Sequence, residues 1–310
     1  MIIHEGYENL NIFNPVVTLG IFDGVHLGHK ALIARLITTS KNVSGESVII
    51  TFYPHPQLVL SEKKTNLAFL TSLEEKISLL EKEGVDHLII IPFDNVLRNK
   101  EACQFIEEVL VSKIGTKCLI AGFNHHFGRK GESDFETIRR CAESFEIVVE
   151  QVKALETDKG IVSSSLIREA LLKGELEEAN RLLGYDYFMN GTIVEGRQLG
   201  REIGYPTANI DSDYKNKLIP KDGVYAVELI IDGSKHKGML SIGWNPTVNN
   251  DPGNRTIEVN IFDFEKDIYK SKICVVFRRR LRDEIKFKSI TLLAEQLKLD
   301  KKMALRLLKE

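Results

Sequence analysis

Val16-Val17-Thr18-Leu19-Gly20-Ile21-Phe22-Asp23-Gly24-Val25-His26-Leu27-Gly28-His29, followed by Leu32, Ile33, Leu36 and Ile37 at helical spacing, decides the fold of the first part of the chain. Its first four residues are continuously apolar or β-branched, the signature of a strand covered on both faces. Gly20 and Gly24 let the backbone turn tightly, and the amphipathic run beyond them reads as a helix that starts in the turn. Such a helix start offers unpaired N–H groups and a positive dipole end to a phosphate. His26 and His29 are spaced so that both reach it. No GxxxxGK[ST] occurs anywhere in the chain, which excludes a P-loop gripping β- and γ-phosphates.

The alternation continues to about Gly184. Strand candidates are Ser47–Phe52, His87–Ile91, Lys117–Ala121 and Ile147–Val149, all expected to be buried on both faces. Between them Leu73, Ile77, Leu79 and Leu80, and then Phe105, Ile106, Val109 and Leu110, repeat at helical spacing. Strand–helix alternation of this kind predicts a doubly wound α/β domain with a parallel sheet, its ligands at the C-terminal ends of the strands. Beyond Gly184 the strands become short and turn-rich. Tyr225–Ile231 and Lys237–Ile242 flank Asp232-Gly233, a hairpin turn, and the pattern predicts an antiparallel β-barrel. Two short helical stretches, Leu292–Leu297 and Met303–Leu308, are expected to cover it. Two domains follow, residues 1–184 and 185–310, in keeping with a length that exceeds one ordinary core.

With 42 Lys and Arg against 44 Asp and Glu, the net charge of −2 gives no general attraction to nucleic acid or an anionic membrane. Any anionic substrate must be held by local groups. Arg278-Arg279-Arg280-Leu281-Arg282 is followed at once by Asp283 and Glu284 and reads as a solvated strand end. Cys103, Cys118, Cys141 and Cys274 stand singly, without a CxxC pair, and read as reduced thiols. There is no apolar signal core near the start and no apolar run of membrane-spanning length, so the expected compartment is the cytoplasm.

The HxGH segment, placed between strand and helix, resembles the nucleotidyltransferase superfamily, in which the α-phosphate of ATP is attacked and pyrophosphate leaves. Val162-Ser163-Ser164-Ser165-Leu166-Ile167-Arg168 is similar to that superfamily's ISSTxIR element. Taken alone, its serines could simply cap a helix; with Arg168 one turn on, they could also form a fork for a triphosphate. Together with Thr51-Phe52-Tyr53-Pro54-His55-Pro56 and Gly122–Gly128, these segments resemble the FMN adenylyltransferase module of bacterial bifunctional riboflavin kinase/FAD synthetases. The resemblance implies that His26 and His29 stabilise charge developing on phosphoryl oxygens. It further implies that Gly20, Phe22, Asp23, Gly24, Ser163, Ser164 and Arg168 bind ATP, and that Asn124 and Phe127 meet the flavin. His125-His126 are adjacent on an extended loop and have no companion ligand at metal spacing.

In the last third, Gly196-Arg197-Gln198-Leu199-Gly200-Arg201-Glu202-Ile203-Gly204-Tyr205-Pro206-Thr207-Ala208-Asn209 ends in a rigid proline leading into a strand. Thr207 and Asn209, two apart, share a strand face and offer neutral oxygens suited to Mg²⁺ with phosphate. The segment resembles the GRxLGxxxGxPTAN signature of riboflavin kinases, which implies ATP binding at Gly200, Gly204, Thr207 and Asn209. Ile257, Val259 and Ile261 alternate with Glu258 and Asn260, which puts Glu258 on the less apolar face. By resemblance Glu258 is the kinase base, taking the proton of the ribityl hydroxyl as it attacks the γ-phosphate. The family more often has His at the positions of Asn260 and Glu195, and Gly at that of Lys270.

Riboflavin, FMN and ATP are therefore the expected small-molecule partners, with Mg²⁺ accompanying ATP; oligomeric state is not written in the pattern. Class I aminoacyl-tRNA synthetases share HxGH, but the chain has no KMSKS-like loop. A flavin-binding descendant without turnover is the other alternative, although no residue proposed for chemistry is missing.

Overall fold

The computed structural model describes residues 1–60, 67–123, 134–195, 204–244 and 255–309. Asn124, Phe127 and Gly200 lie outside them. The chain divides into two compact units, Met1–Leu67 with Leu73–Ser164, and Ala68–Ser72 with Ser165–Glu310.

In the first unit the strands are β1 (Ile2–Glu5), β2 (Val16–Leu19), β3 (Ser47–Tyr53), β4 (His87–Pro92), β5 (Cys118–Gly122) and β6 (Val148–Val152). They form one parallel sheet in the order β1-β4-β3-β2-β5-β6. A small ribbon, β7 (Glu156–Thr157) with β8 (Gly160–Ile161), follows. The helices are α1 (Leu27–Asn42), α2 (Pro56–Leu60), α3 (Leu73–Lys82), α4 (Asn95–Asn99), α5 (Ala102–Phe105), which continues as a π-helix over Ile106–Ile114, and α6 (Phe135–Glu143). One sheet face, Val17, Leu19, Val48, Ile50, Ile89, Ile91 and Leu119, packs on Phe105, Ile106, Val109, Leu110 and Ile138. The winding runs outward from β2 through β3 to β4, then returns to β5 on the other side of β2. The β2/β5 seam is thus the topological switch point, and the Gly20–His26 loop leaves β2 at its C-terminal end.

Three expectations change here. β1 is an edge strand the sequence reading did not include; Ile2 and Ile3 are exposed and carry no burial pattern. The expected doubly covered strand at Ile147–Val149 is the edge strand β6, with Ile147 buried and Val148 65% exposed. Cys103 and Cys141, read as single thiols, are joined as a disulfide with Cα atoms 5.4 Å apart. They lie on α5 and α6, and only the fold makes them neighbours.

The second unit opens with α7 (Ser164–Lys173), whose first residue groups with the first unit, and α8 (Leu176–Leu183). β9 (Phe188–Val194), β10 (Ala208–Ser212), β11 (Gly223–Ile231), β12 (Ser234–Trp244), β13 (Arg255–Ile261) and β14 (Lys272–Arg282) follow. They close an antiparallel barrel in the order β10-β13-β12-β11-β14-β9. Asp232 and Gly233 both take positive φ, 48° and 77°, and Ile231 pairs with Ser234, the two-residue turn expected of Asp-Gly. Val227, Leu229, Leu240, Val259, Val275 and Phe277 are buried completely. Asn180 fastens α8 to the barrel, its amide donating to Phe277 O and accepting from Tyr187 N–H.

The two expected terminal helices are one, α9 (Ile290–Leu307), capped by Ser289. Lys298–Lys302 contains no Gly or Pro to break it, and Asp300 within that stretch is buried against the barrel. Arg282 Nη2 donates to Asp300 Oδ2 at 2.6 Å, and Gln296 Nε2 donates to Oδ1 at 2.9 Å. Ala304 and Leu308 pack with Ala226, Met239 and Phe262 on the outer face of the barrel. The basic run is thus spent on carboxylates: Arg278 on Asp186 and Glu228, Arg280 on Asp283, Arg282 on Asp300. The run does end β14, with Arg278 and Arg279 partly exposed, and the ion pairs add to that strand-end reading.

Asp300→Ala leaves the Arg282 guanidinium without its buried partner, and the loss is about 3 kcal/mol. Urea unfolding of the variant should show this; a change under about 0.5 kcal/mol would mean that the pair does not fasten α9.

Candidate active site

Residues 20–26 leave the sheet in a conformation that side chains rarely adopt. Phe22 has φ 53°, Gly24 82° and Val25 36°. A β-branched residue at positive φ is strained, and such strain persists only where the surroundings over-determine it. Here Phe22 is buried, and Ser164 Oγ donates to the Asp23 carbonyl at 2.8 Å, which ties the loop to the start of α7. His26 caps α1: its Nδ1 accepts from His29 N–H at 3.3 Å, which puts the proton of a neutral ring on Nε2. The two imidazoles stack with centroids 3.7 Å apart and planes 16° apart. Gly28 fits closely between them: a Cβ there would stand 3.2 Å from His26 Nδ1 and 3.3 Å from Val162 O, so a larger residue would have to displace its neighbours by a few tenths of an ångström.

The first turn of α1 carries no acidic residue, so no carboxylate competes for its N–H groups. His29 Nδ1 is buried with no hydrogen-bond partner among the described residues. Burial holds the His29 pKa well below its ordinary value, and the charges of His26 and Lys76 add to the effect. A buried ring nitrogen without a partner, at a helix start, next to a second imidazole, suits an acidic oxygen brought by a ligand. Gly20, Phe22, Asp23, Gly24, His26, His29 and Ser164 are brought together in this first unit. Ser163 directly precedes α7. Arg168, one turn along α7, donates from Nη2 to Ser165 Oγ at 3.3 Å.

Lys76 is the residue that sequence reasoning missed. It sits on α3, 6% exposed, and donates to Thr51 Oγ1 at 3.4 Å. Burial pulls its pKa down from 10.5 to about 8, partly offset by the Asp23 carboxylate. The shift amounts to about 3 kcal/mol of unfavourable burial at neutral pH. Its only signal in the sequence is a position on the apolar side of an amphipathic helix.

In the barrel, Asn209 of β10 and Ser241 of β12 lie directly across from Glu258 on β13, all on one face. Thr207 Oγ1 donates to Glu258 Oε2 at 3.4 Å, and Asn260 Nδ2 donates to Pro206 O at 2.7 Å, which fixes the approach to β10. Gly204 takes φ 76° just before it. A cleft beside Thr207 is lined by Ile193, Pro206, Ile261, Phe264 and Tyr269. Among the described residues no group of three His, Cys, Asp or Glu could hold a metal. The oxygens of Thr207, Asn209 and Glu258 do fit a hard cation that takes its remaining ligands from phosphate and water.

Comparison with known proteins agrees with both units. The family model described as FAD synthetase matches residues 11–166, and that described as riboflavin kinase matches residues 183–308. A bifunctional riboflavin kinase/FMN adenylyltransferase of Listeria monocytogenes is 39% identical over 93% of this chain and 90% of its own. That of Bacillus subtilis is 36% identical over 94% and 92%. A crystal structure described as a macrolide-efflux protein from Streptococcus pneumoniae superposes with a TM-score of 0.89 at 33% identity, covering 98% of this chain and 99% of that one. Among the described residues no helix is long and apolar enough to cross a membrane.

The enclosed His29 ring should be neutral at pH 7 and titrate well below the ordinary 6.5. Because the unfolded chain takes up that proton first, stability should fall as pH drops below about 6.5 and hold above it. Imidazole NMR of the wild type against His29→Gln reads both; a midpoint at or above 6.5 would contradict the burial argument.

Proposed function

The chain belongs to the family of bifunctional riboflavin kinases/FMN adenylyltransferases, making FMN from riboflavin and FAD from FMN at the expense of ATP, and on that premise we propose where each reaction occurs. Adenylyl transfer is assigned to residues 1–184 and phosphoryl transfer to residues 185–310.

In the first, a phosphate oxygen of FMN attacks the α-phosphorus of ATP. The bond from that phosphorus to the bridging oxygen breaks, and pyrophosphate leaves with the electron pair. His26 Nε2–H, the His29 ring and the N–H groups opening α1 stabilise the charge that grows on the phosphoryl oxygens. Gly20, Phe22, Asp23 and Gly24 shape the nucleotide pocket, with Ser163, Ser164 and Arg168 on the triphosphate. Asn124 and Phe127 are assigned to the flavin on resemblance alone. The observation that carries this reading is the stacked, buried histidine pair at the cap of α1, with one ring nitrogen lacking a partner among the described residues.

In the second, the terminal ribityl hydroxyl attacks the γ-phosphorus of ATP, its proton passes to Glu258, and ADP leaves. Thr207 and Asn209 would hold Mg²⁺ together with phosphate oxygens, and the metal would neutralise phosphate charge. Gly204, at φ 76°, lets the backbone approach the nucleotide, and Gly200 is assigned to ATP on resemblance alone. The Thr207–Glu258 hydrogen bond and the Asn209–Glu258 register support this arrangement. We place both reactions in the cytoplasm, where ATP is supplied.

Glu258→Gln should lower FMN formation by about 10²- to 10⁴-fold while FMN adenylylation continues; near-normal kinase activity would remove Glu258 from the mechanism. Alanine at both His26 and His29 should lower FAD formation at least about 10²-fold and spare FMN formation. FAD synthesis within a fewfold of wild type would refute the α-phosphate assignment.

A further inference from the structure

A lysine buried to 6% exposure is costly, and Lys76 has little in the fold to offset that cost. Among the described residues its hydrogen-bond partner is a neutral hydroxyl, Thr51 Oγ1 at 3.4 Å. That hydroxyl is itself turned to the Ile21 carbonyl at 3.3 Å, in the same loop that carries Asp23 and His26. The lysine therefore reaches from α3, under the end of β3, to the base of the loop that opens α1. Among the described residues the groups that act on it electrostatically are Asp23 on the loop and His29 on α1, while Glu75, its neighbour on α3, is also buried.

Two potentially cationic side chains, His29 and Lys76, thus act on each other, with His26 beside His29 and the Asp23 carboxylate beside Lys76. Bringing like charges together in a dry site is unfavourable until an anion arrives. We propose that Lys76 is a positioning residue for adenylyl transfer: its buried ammonium, at the base of the loop that opens α1, acts through space on the triphosphate of ATP that the His26–His29 pair meets. This rests on the reading of His26 and His29 as the phosphate site. No proton leaves Lys76 in the reaction. The phosphorus–oxygen bond made to FMN and the one broken to pyrophosphate balance without it.

The lowered pKa of about 8 adds a signature that a merely structural lysine would lack. Lys76 loses its charge on the alkaline side of neutrality, so kcat/KM for ATP in FAD formation should fall above about pH 8, whereas FMN formation by the same protein should not share that limb.

The test is Lys76→Met, which keeps the length of the side chain and removes the charge. FAD formation from FMN and ATP should fall at least about 30-fold and lose its alkaline limb, with FMN formation from riboflavin within about twofold of wild type. Thermal unfolding should occur at the same temperature or higher, because an unfavourable buried charge has gone, and the His29 midpoint should rise. FAD formation within about threefold of wild type, or activity lost together with a lower unfolding temperature, would overturn the proposal. The wild-type pH profile decides independently of any variant: a kcat/KM for ATP that stays level between about pH 7 and about pH 9.5 overturns it too. The His26→Ala, His29→Ala double variant, assayed beside it, separates the two readings. If that variant keeps FAD formation, the phosphate site itself is misplaced; if it loses FAD formation while Lys76→Met does not, only the role of Lys76 fails.

Discussion

Between Leu19, where β2 ends, and Leu27, where α1 begins, the chain must turn out of the sheet and present a helix start to whatever lies above the switch point. That constraint governs the first unit. The turn requires positive φ at Phe22, Gly24 and Val25, and a backbone so strained holds only if it is pinned. Phe22 is buried beneath it, and the Asp23 carbonyl is held by Ser164 from a helix far along the chain. The stacked histidines, the cap on α1 and the tight space at Gly28 all follow from where this loop is forced to go.

The barrel solves a different problem, that of holding a carboxylate and neutral oxygens on one face without letting them disperse. Strand register does this. Asn209, Glu258 and Ser241 lie in one cross-strand row, and closure of the sheet leaves that row no freedom to slip. Asn260 serves a local purpose by gripping the Pro206 carbonyl and so setting where Thr207 stands. The outer face beside this row is closed by α9, and the Arg282–Asp300 pair decides that α9 is one continuous helix.

The legible part of this molecule was the part in which neighbours in sequence are neighbours in space. HxGH, the Asp232-Gly233 turn, the Thr207–Asn209 spacing and the alternation around Glu258 each act within a few residues, and each was readable. What escaped depends on distant segments. Lys76 stands in Leu73–Lys82 beside Glu74, Glu75 and Lys82, where a lysine ordinarily faces solvent; only the approach of β3 and the Gly20–His26 loop buries it. Cys103 and Cys141 are 38 residues apart and meet through helix packing. Val148 has the composition of a covered strand, but β6 is the edge of the sheet and Val148 is exposed there. The two expected terminal stretches, Leu292–Leu297 and Met303–Leu308, are one helix because the charged residues between them continue it, with Asp300 turned inward to Arg282.

The account as a whole claims that two chemically different attacks on ATP, one at the γ-phosphorus and one at the α-phosphorus, are made at separate sites of one chain. Phosphorus labelling tests this most directly. The purified, flavin-free protein is given riboflavin and Mg²⁺ with ATP labelled at either the γ- or the α-phosphorus, and the flavins are separated over time. The prediction is that γ-label appears first in FMN and then in FAD, while α-label appears in FAD alone. An α-label in FMN, FAD without γ-label, or no conversion of riboflavin at all would contradict it.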